Sequence, residues 1–318
     1  MITLVARNTS PATPSRNDLL SQEMIMLKEY TNEHELTEAL NATKSFPELL
    51  MTHFCIHNLL YKKYQFKNIR IFSYPYHNSI YWYLFEIRRG ATPQVTIAQG
   101  VGRHDSTAFL TGLRLFLEKI HDQVRDTGFL IGAEEHLQFD IATIFEQMLP
   151  SHQLAPKSRN TFFYMTKEQT EDLASADLTV PYGYSHSEVD LEKDSQLIHD
   201  AWEFATTLEH TKTRLAELPS AVIRDADGNI ASFEMMSQYG AVCNQYTLPD
   251  KRRQGLGRLV EMQLAQKVVL AGQVPFKTVP SLLADVVRRS AESPFWSTFT
   301  RNGEPVTFVF QTAAVRDS

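Results

Sequence analysis

The residues best suited to chemistry in this chain lie in one short basic loop that contains two glycines. Residues 247–258 read T-L-P-D-K-R-R-Q-G-L-G-R, which places Arg252, Gly255 and Gly257 at the spacing R-x-x-G-x-G. A strand-like run precedes the loop and an amphipathic helix follows it, so the free N–H groups of the first helical turn can face a ligand. Four side chains add positive charge to that end of the helix: Lys251, Arg252, Arg253 and Arg258. Because the helix dipole also makes this end partly positive, we predict that the loop binds a diphosphate-bearing ligand.

Three kinds of phosphate-binding loop share part of this pattern. A nucleoside triphosphatase P-loop needs Lys-Ser or Lys-Thr after its last glycine, and here Gly257 is followed by Arg258 and Leu259. A dinucleotide fingerprint needs a third glycine and a later acidic residue, where this chain has Val260 and Lys277. The third kind is the coenzyme A pyrophosphate loop of the GCN5-related N-acetyltransferase (GNAT) superfamily, whose pattern Q/R-x-x-G-x-G/A fits directly. An ordinary turn before a helix with a basic N-terminus is an alternative that the loop alone leaves open.

The sequence around the loop resembles the C-terminal half of the glycine N-acyltransferase family, which belongs to the GNAT superfamily. Six segments resemble motifs of that family and follow the same order: 219–224, 225–229, 230–240, 247–252, 259–267 and 272–276. A further resemblance lies upstream in the helical segment 200–204, whereas the first half of the chain matches only in length and layout. The resemblance implies an α/β protein with a mixed sheet and a GNAT-like acyltransferase fold.

The resemblance also implies a reaction and its substrates. The implied function is transfer of an acyl group from a CoA thioester to the amine of glycine or another small amino acid. Acyl-CoA would then be a co-substrate, and no cofactor would be permanently bound. The implied acyl-CoA-binding residues run along the strand end, the loop and the first helical turn: Tyr246, Leu248, Arg252, Arg253, Gln254, Gly255, Leu256, Gly257 and Arg258. Backbone atoms near Tyr246 and Leu248 would hold the pantetheine arm, and the amides of 253–258 would hold the pyrophosphate.

One departure from the family concerns catalysis. The family places a catalytic glutamate 14 positions before the first loop glycine, and Ala241 stands at that position here. An alanine cannot remove the proton that an attacking amine must lose. Glu234, on the adjoining strand, is our candidate for the base. Two alternatives stay open: a CoA-binding GNAT-fold protein with little or no catalysis that acts as a sensor, and an interaction protein that uses the fold only as a frame.

The composition is typical of a globular protein. The chain has 318 residues, 43% of them hydrophobic and 21% charged, which is long enough for two domains. Its net charge of -6 gives no sign of nucleic acid as a partner, and no apolar run approaches the ~18 residues of a membrane span. Cys55 and Cys243 cannot build a disulfide framework, so we expect an intracellular location, mitochondrial or cytoplasmic. The sequence contains no metal-ligand spacing, and it leaves the oligomeric state open.

Helices and strands alternate in both halves of the chain. Residues 99–103 read Q-G-V-G-R and echo Q-G-L-G-R at 254–258, and both segments follow a strand and precede a helix. We therefore expect two tandem GNAT-like domains. The predicted organisation is a flexible tail, an N-terminal domain, a linker region and a C-terminal acyltransferase domain, respectively 1–22, 23–165, 166–186 and 187–318. After two helical segments within 192–218, the second half is predicted to run strand, strand, strand, helix, strand, helix, strand, with the basic loop after its third strand.

Overall fold

The computed structural model describes residues 26–44, 46–62, 67–77, 79–88, 91–203 and 205–316, and the predicted tail at 1–22 lies outside them. The described residues form nine α-helices: α1 Glu33–Thr43, α2 Leu50–Leu60, α3 Ser106–Val124, α4 Gln138–Met148, α5 Lys167–Ala174, α6 Leu191–Asp200, α7 Leu208–Glu217, α8 Leu256–Leu270 and α9 Ala284–Ala291. The same residues form sixteen strands: β1 Lys28–Glu29, β2 Lys67–Tyr76, β3 Ser79–Arg88, β4 Ala91–Gln99, β5 Phe129–Glu134, β6 His152–Leu154, β7 Ser158–Tyr164, β8 Tyr184–Ser187, β9 Ser220–Asp225, β10 Ile230–Met236, β11 Val242–Thr247, β12 Phe276–Pro280, β13 Ser297–Thr298, β14 Thr300–Arg301, β15 Glu304–Pro305 and β16 Thr307–Val315. Short 3-10 helices occur at Pro47–Leu49, Glu135–Leu137 and Pro249–Lys251.

Ten strands form the main sheet, and strands from both halves of the chain take part in it. Their order is β1-β2-β3-β4-β5-β16-β7-β12, with β6 paired to β16 and β13 paired to β7. Strands β4 and β5 are parallel, whereas the neighbouring pairs on either side of them are antiparallel. A second sheet, ordered β11-β10-β9-β8, is antiparallel throughout, and β14 and β15 form a separate hairpin.

The two halves repeat one arrangement, β2-β3-β4-α3-β5-α4 in the first and β9-β10-β11-α8-β12-α9 in the second. In each half, three antiparallel strands lead into a helix, then a further strand, then a second helix. The predicted α/β class with a mixed sheet is confirmed. The order predicted for the second half is confirmed from β9 to α9, with the basic loop between β11 and α8, but three short strands that were not predicted, β13, β14 and β15, come before the last strand β16.

Strands of one half also pair with strands of the other half. The last strand of the chain, β16, pairs with β5 of the first half, from Phe308 opposite Glu134 to Ala313 opposite Phe129. On its other edge β16 pairs with β7, which in turn pairs with β12 of the second half. Strands of the two halves therefore alternate in this part of the sheet. The domain boundaries stay predictions, because β7 lies in the first half by sequence and beside β12 in space.

Helix α3 forms where the sequence places apolar residues three and four positions apart. Four of them are buried in the core of the first half: Phe109, Leu113, Phe116 and Ile120. The side chain of Asp105 caps the helix by accepting from the N–H of Ala108 at 2.9 Å. The helix therefore begins at this cap and packs its apolar side against the sheet of the first half.

Helix α8 holds the basic loop in place because its apolar stripe packs on the second sheet. Four residues spaced four apart are buried in one cluster with residues of β9, β10 and β11: Leu256, Val260, Leu264 and Val268. Helices α6 and α7 contribute Ile198 and Leu215 to a cluster on the opposite side of β9 and β10. The sheet is therefore covered on both faces, and the N-terminus of α8 is fixed at the end of β11.

Helix α2 of the first half packs into the second half. Its apolar residues share one buried cluster with the strands around the basic loop: Leu50, Met51, Phe54, Ala241, Val242 and Phe276. Gly240 approaches Phe54 so closely that a Cβ at 240 would lie 2.3 Å from Cγ of the ring. Gly240 also has a φ of 96°, which favours glycine. Backbone conformation and packing between the halves therefore both require glycine at 240.

Candidate functional site

The basic loop is shaped by two glycines that have different tasks. Gly255 is the N-cap of α8 with a φ of 81°, and Arg253 has a φ of 64°. Left-handed backbone costs a residue with a side chain about 1–2 kcal/mol, so glycine is preferred at 255. A Cβ at Gly257 would lie 3.3 Å from Oγ1 of Thr247 and 3.4 Å from Oε1 of Gln245. Gly255 therefore makes the turn, and Gly257 allows the helix to approach β11.

The first turn of α8 presents unpaired hydrogen-bond donors. Among the described residues, no backbone acceptor is bound by the N–H groups of 253–258, and the first helical bond runs from Leu259 N–H to the Gly255 carbonyl at 3.1 Å. The space above Gly255 is open, since a Cβ there would meet no atom within 4 Å. These N–H groups lie at the positive end of the helix dipole and can hold an anion. We call the N–H groups of residues 253–258 the cradle.

The four basic side chains of the loop differ in what they contact. Lys251 forms an ion pair with Asp225 at 3.1 Å. Nε of Arg252 donates to the carbonyl at the start of the loop at 3.0 Å. Among the described residues, Arg253 and Arg258 form no ion pair, and both are exposed. Arg253 and Arg258 are therefore the two of the set that are free to meet the phosphates of a ligand.

Other predicted ligand residues support the shape of the loop. Oε1 of Gln254 accepts from the Tyr184 hydroxyl at 2.9 Å. The guanidinium of Arg252 lies 5.6 Å from the centre of the Tyr246 ring. Both backbone groups of Leu248 are hydrogen-bonded within the protein, at 3.0 and 2.9 Å. That Tyr246 and Leu248 hold a pantetheine arm stays a prediction.

Strand β11 carries a bulge that the sequence did not indicate. The register changes between Phe233 and Met235 of β10, so that Asn244 and Gln245 of β11 together oppose Glu234. Asn244 has a φ of 54°, a conformation that asparagine tolerates better than most residues. A bulge takes backbone groups out of the ladder. The ladder between β10 and β11 is therefore irregular at this point of the strand.

A groove of about 330 Å³ lies between α8 and α9, beside the cradle. Its walls come from β11, α8, β12, α9 and the segment after α9: Gln245, Arg258, Glu261, Lys277, Val286, Arg289, Ser290, Glu292, Ser293, Pro294 and Trp296. Arg258 and Arg289 are exposed, whereas Lys277 and Trp296 are only 5% and 3% exposed. The groove therefore leads from the loop towards the interior.

An ion pair occupies the buried end of the groove. Nζ of Lys277, on β12, contacts Oε1 of Glu261, on α8, in a hydrogen-bonded pair. The same nitrogen lies 4.5 Å from the centre of the Trp296 ring. Removing one partner of a buried pair leaves an uncompensated charge, so each residue depends on the other. The pair links α8 to β12 across the groove.

Glu234, the predicted base, is buried behind Gln245. It is 3% exposed, and Oε2 accepts from Nε2 of Gln245 at a long distance of 3.4 Å. The same amide nitrogen of Gln245 donates to the Gly257 carbonyl at 2.9 Å. Burial raises the pKa of Glu234 well above its ordinary value, and the negative charge of Glu261 raises it further, while Lys277 and Gln245 act in the opposite direction. Glu234 therefore favours its neutral, protonated form, and its role as a base stays a prediction.

Ala241, at the position of the family's glutamate, is enclosed by protein. It is 1% exposed and belongs to the apolar cluster that includes Phe54 and Phe276. Its N–H donates to Oγ of Ser237 at 2.9 Å, and its carbonyl accepts from the N–H of the same residue at 2.7 Å. A carboxylate at this position would lie among hydrocarbon side chains.

Residues 99–103 of the first half resemble the basic loop in sequence but precede a helix whose N-terminus is capped. There the first turn of α3 is already capped by the carboxylate of Asp105. The side-chain amide of Gln99 donates to the Gly102 carbonyl at 3.0 Å, and Ser79 donates to the Arg103 carbonyl at 2.7 Å. A carboxylate at a helix N-terminus satisfies the donors that a phosphate would use and repels its charge. The anion cradle is therefore a feature of the second half.

Two solved structures share the architecture of this chain. An X-ray structure of a Drosophila protein matches over 90% of this chain and 98% of its own, with a TM-score of 0.69 and 12% sequence identity. A tandem GNAT protein from the clavulanic acid biosynthesis pathway, in a form without AcCoA, matches over 92% of this chain and 100% of its own, with a TM-score of 0.54 and 12% identity. This chain has a tandem GNAT fold. No family model matches it.

The tandem GNAT fold confirms the predicted superfamily resemblance and the predicted pair of GNAT-like domains at the level of the fold. The closer resemblance to glycine N-acyltransferases stays a prediction. Among the described residues, no group of three or more His, Cys, Asp or Glu could hold a metal ion. No helix in that part of the chain is long and apolar enough to cross a membrane.

Three features of the site were missed by the sequence analysis. They are the bulge in β11, the Glu261–Lys277 pair and the contact between Tyr184 and Gln254. Each joins residues from different elements, and no local pattern marks such a contact. For the Glu261–Lys277 pair, the sequence offered one indication. Glu261 lies one helical turn beyond Arg258, on the side of α8 that faces β12.

Proposed function

We propose that this protein transfers an acyl group from acyl-CoA to the amine of glycine or another small amino acid. The observation that supports this most is the cradle, with its unpaired N–H groups and the exposed Arg253 and Arg258 beside them. A diphosphate supplies the negative charge and the acceptor oxygens that such donors bind. The groove that begins at Arg258 gives the rest of a CoA molecule a place to lie. The tandem GNAT fold is consistent with the acyltransferase class.

In the proposed complex, the pyrophosphate binds the cradle, and the pantetheine arm passes the backbone of Tyr246 and Leu248 at the end of β11 and enters the groove at Gln245. The thioester carbonyl then lies near the bulge at Asn244 and Gln245, whose backbone departs from the ladder. An N–H group held there would donate to the negative oxygen of the tetrahedral intermediate. Loss of one such donor costs other enzymes about 3 kcal/mol in the transition state.

The attacking amine must be neutral, and Glu234 is the proposed base. Because its pKa is raised, Glu234 accepts a proton only after it has ionised, so the rate should increase as pH rises through that raised pKa. An amine that loses its own proton to water would give the same direction of change. Glu234→Gln separates the two, because any increase with pH that persists in the variant belongs to the amine.

A substrate panel tests the proposal. The pure protein is incubated with acyl-CoAs of different chain length and pooled amino acids, while release of free thiol and the mass of any conjugate are followed. An N-acyl amino acid, formed by the wild-type protein and absent when the cradle is blocked by Gly255→Glu, supports the function and names both substrates. If no acyl-CoA loses its acyl group with any amino acid, the proposal is wrong.

A CoA-binding protein with little or no catalysis is the second candidate. The buried Ala241 and the raised pKa of Glu234 favour it, because alanine has no basic group and a raised pKa disfavours the ionised carboxylate. Calorimetry with CoA, run beside the substrate panel, distinguishes the candidates. Binding without turnover supports a sensor, and absence of binding contradicts both candidates.

A further inference from the structure

The groove contains one buried cation. Lys277 is 5% exposed, and its partners are the carboxylate of Glu261 and the face of Trp296. The other two basic residues of the groove, Arg258 and Arg289, are exposed to solvent. Lysine is rarely buried unless it is paired. Lys277 is paired and also lines an open cavity, so a group that enters the groove can reach its ammonium.

The cradle sets the direction in which a CoA molecule would lie. If the pyrophosphate binds at 253–258, the arm that ends in sulfur extends along the groove, because Arg258 borders both the cradle and the groove. The volume of about 330 Å³ lies in the range of small-molecule pockets. Lys277 lies at the buried end of this path, where the sulfur end of the arm would arrive.

We propose that Lys277 protonates the thiolate that leaves when the acyl group is transferred. This role rests on the proposed function. The amine nitrogen attacks the thioester carbonyl carbon, the C–N bond forms, and the C–S bond breaks with its electron pair going to sulfur. Nζ of Lys277 gives a proton to sulfur, which produces the free thiol. The neutral lysine then regains the proton that the attacking nitrogen has lost, so the protons balance over one cycle.

Other groups of the groove are less suited to this step. Arginine keeps its proton in proteins, so Arg258 and Arg289 can attract an anion but cannot supply a proton. Helix α9 reads A-D-V-V-R-R-S-A and offers no tyrosine, histidine or cysteine. Glu261 holds the ammonium of Lys277 in place across the groove. Lys277 therefore combines a transferable proton, a fixed position and shelter from water.

Binding of CoA and of desulfo-CoA, which lacks the sulfur, tests the contact without requiring turnover. If Lys277 faces the sulfur, the bound thiol ionises more readily, and the wild-type protein prefers CoA over desulfo-CoA by about tenfold at pH 9, as one charge-assisted hydrogen bond would give. The preference should be smaller at pH 7. The ultraviolet absorbance of the thiolate in the bound CoA reports its ionisation directly. In Lys277→Met the preference should disappear, and the thiolate absorbance should shift to higher pH.

Two further variants act as controls. Lys277→Met leaves Glu261 without its partner, whereas Lys277→Met/Glu261→Gln removes both charges. The double variant should bind desulfo-CoA as the wild-type protein does, because it leaves no unpaired charge, and this binding shows that the groove is intact. Lys277→Arg should keep the preference for CoA, because its charge remains. Turnover of Lys277→Met and of Lys277→Arg should fall about 100-fold in kcat, the lower end of general acid effects, with KM for acyl-CoA nearly unchanged.

The outcomes separate this role from the proposed function. Wild-type protein that binds CoA and desulfo-CoA equally at every pH overturns the role of Lys277 and leaves the proposed function standing. A full preference for CoA in Lys277→Met/Glu261→Gln likewise overturns the role of Lys277 and leaves the proposed function standing. Variants that lose both ligands alike assign Lys277 a structural role and also overturn the inference. Wild-type protein that binds neither compound contradicts the proposed function itself.

Discussion

Glu234 shows how the surroundings of a side chain decide its chemistry. In the sequence it is a strand carboxylate near an expected active site. In the fold it is 3% exposed and faces Gln245, with the charge of Glu261 nearby. Burial and a like charge both favour the neutral carboxylic acid over the carboxylate. Both effects therefore work against the ionised form that a base requires.

The raised pKa of Glu234 also predicts how stability depends on pH. Below the ordinary pKa of about 4.3, the carboxyl is protonated in both the folded and the unfolded chain. As pH rises above that value, Glu234 ionises in the unfolded chain before it ionises in the folded one. The free energy of unfolding therefore falls, by up to about 1.4 kcal/mol per pH unit, until the pH passes the pKa of Glu234 in the folded protein. Glu234→Gln cannot ionise. The difference in unfolding free energy, variant minus wild type, should therefore grow from pH 4 upwards in urea titrations, and a constant difference would contradict the buried position.

A second prediction at the scale of one residue concerns Ala241. Ala241→Glu would place a carboxyl group among apolar side chains at a position that is 1% exposed, so we expect a loss of about 3 kcal/mol in unfolding free energy and no gain in turnover. Ala226→Glu, the same change in the exposed turn after β9, is the matched control and should be nearly neutral. Urea unfolding measures both variants. A stable Ala241→Glu with faster turnover would show that the site is open and lacks only a base.

At the scale of elements, the N-terminus of α8 is the feature whose function is most directly testable. Gly255→Glu puts a negative side chain against the cradle, so CoA affinity should fall by about 100-fold or more, the loss expected when charge-assisted hydrogen bonds are broken. Gly272→Glu is a matched control at the other end of the same helix. Gly272 has a φ of 77°, close to the 81° of Gly255, and a Cβ at either position meets no atom within 4 Å.

Both substitutions therefore carry a similar backbone cost and the same change in charge. Calorimetry should find CoA binding unchanged in Gly272→Glu and strongly weakened in Gly255→Glu. Equal weakening in the two variants would mean that the effect comes from a destabilised helix. Equal affinity for wild type and both variants would show that the cradle does not bind CoA.

The elements also show what a sequence can and cannot predict. Helices α3 and α8 were predictable because their apolar residues recur at helical spacing, and the basic loop was predictable because glycine and arginine spacing is local. The bulge at Asn244 was not, because many turns and loops also contain asparagine. The pair of Glu261 and Lys277 joins a helix to the next strand, and each residue alone reads as an ordinary surface charge.

At the scale of the whole molecule, the alternation of strands from the two halves was beyond sequence analysis. Strand β16 separates β5 from β7, although β7 ends more than 140 residues before β16 begins. An apolar run predicts that a strand is buried in a sheet, but it does not predict which strands lie beside it. Because β5, β16, β7 and β12 form one continuous sheet, neither half completes its sheet without a strand from the other. Strand β12, which carries Lys277 of the groove, therefore belongs to a sheet that both halves build.

The contact between Gly240 and Phe54 tests this dependence. Gly240→Ala should destabilise the protein by about 3 kcal/mol, from left-handed backbone and from a Cβ that would lie 2.3 Å from the ring. Phe54→Ala should cost about 3–5 kcal/mol through the cavity that it leaves. In the double variant the new methyl group enters the space of the missing ring, so the two losses should add to less than their sum, by about 1–2 kcal/mol. Gly255→Ala, which changes a glycine of similar φ in open space, gives the backbone cost alone. Denaturant unfolding followed by tryptophan fluorescence measures all four variants, and strictly additive losses would mean that α2 does not pack on the second half.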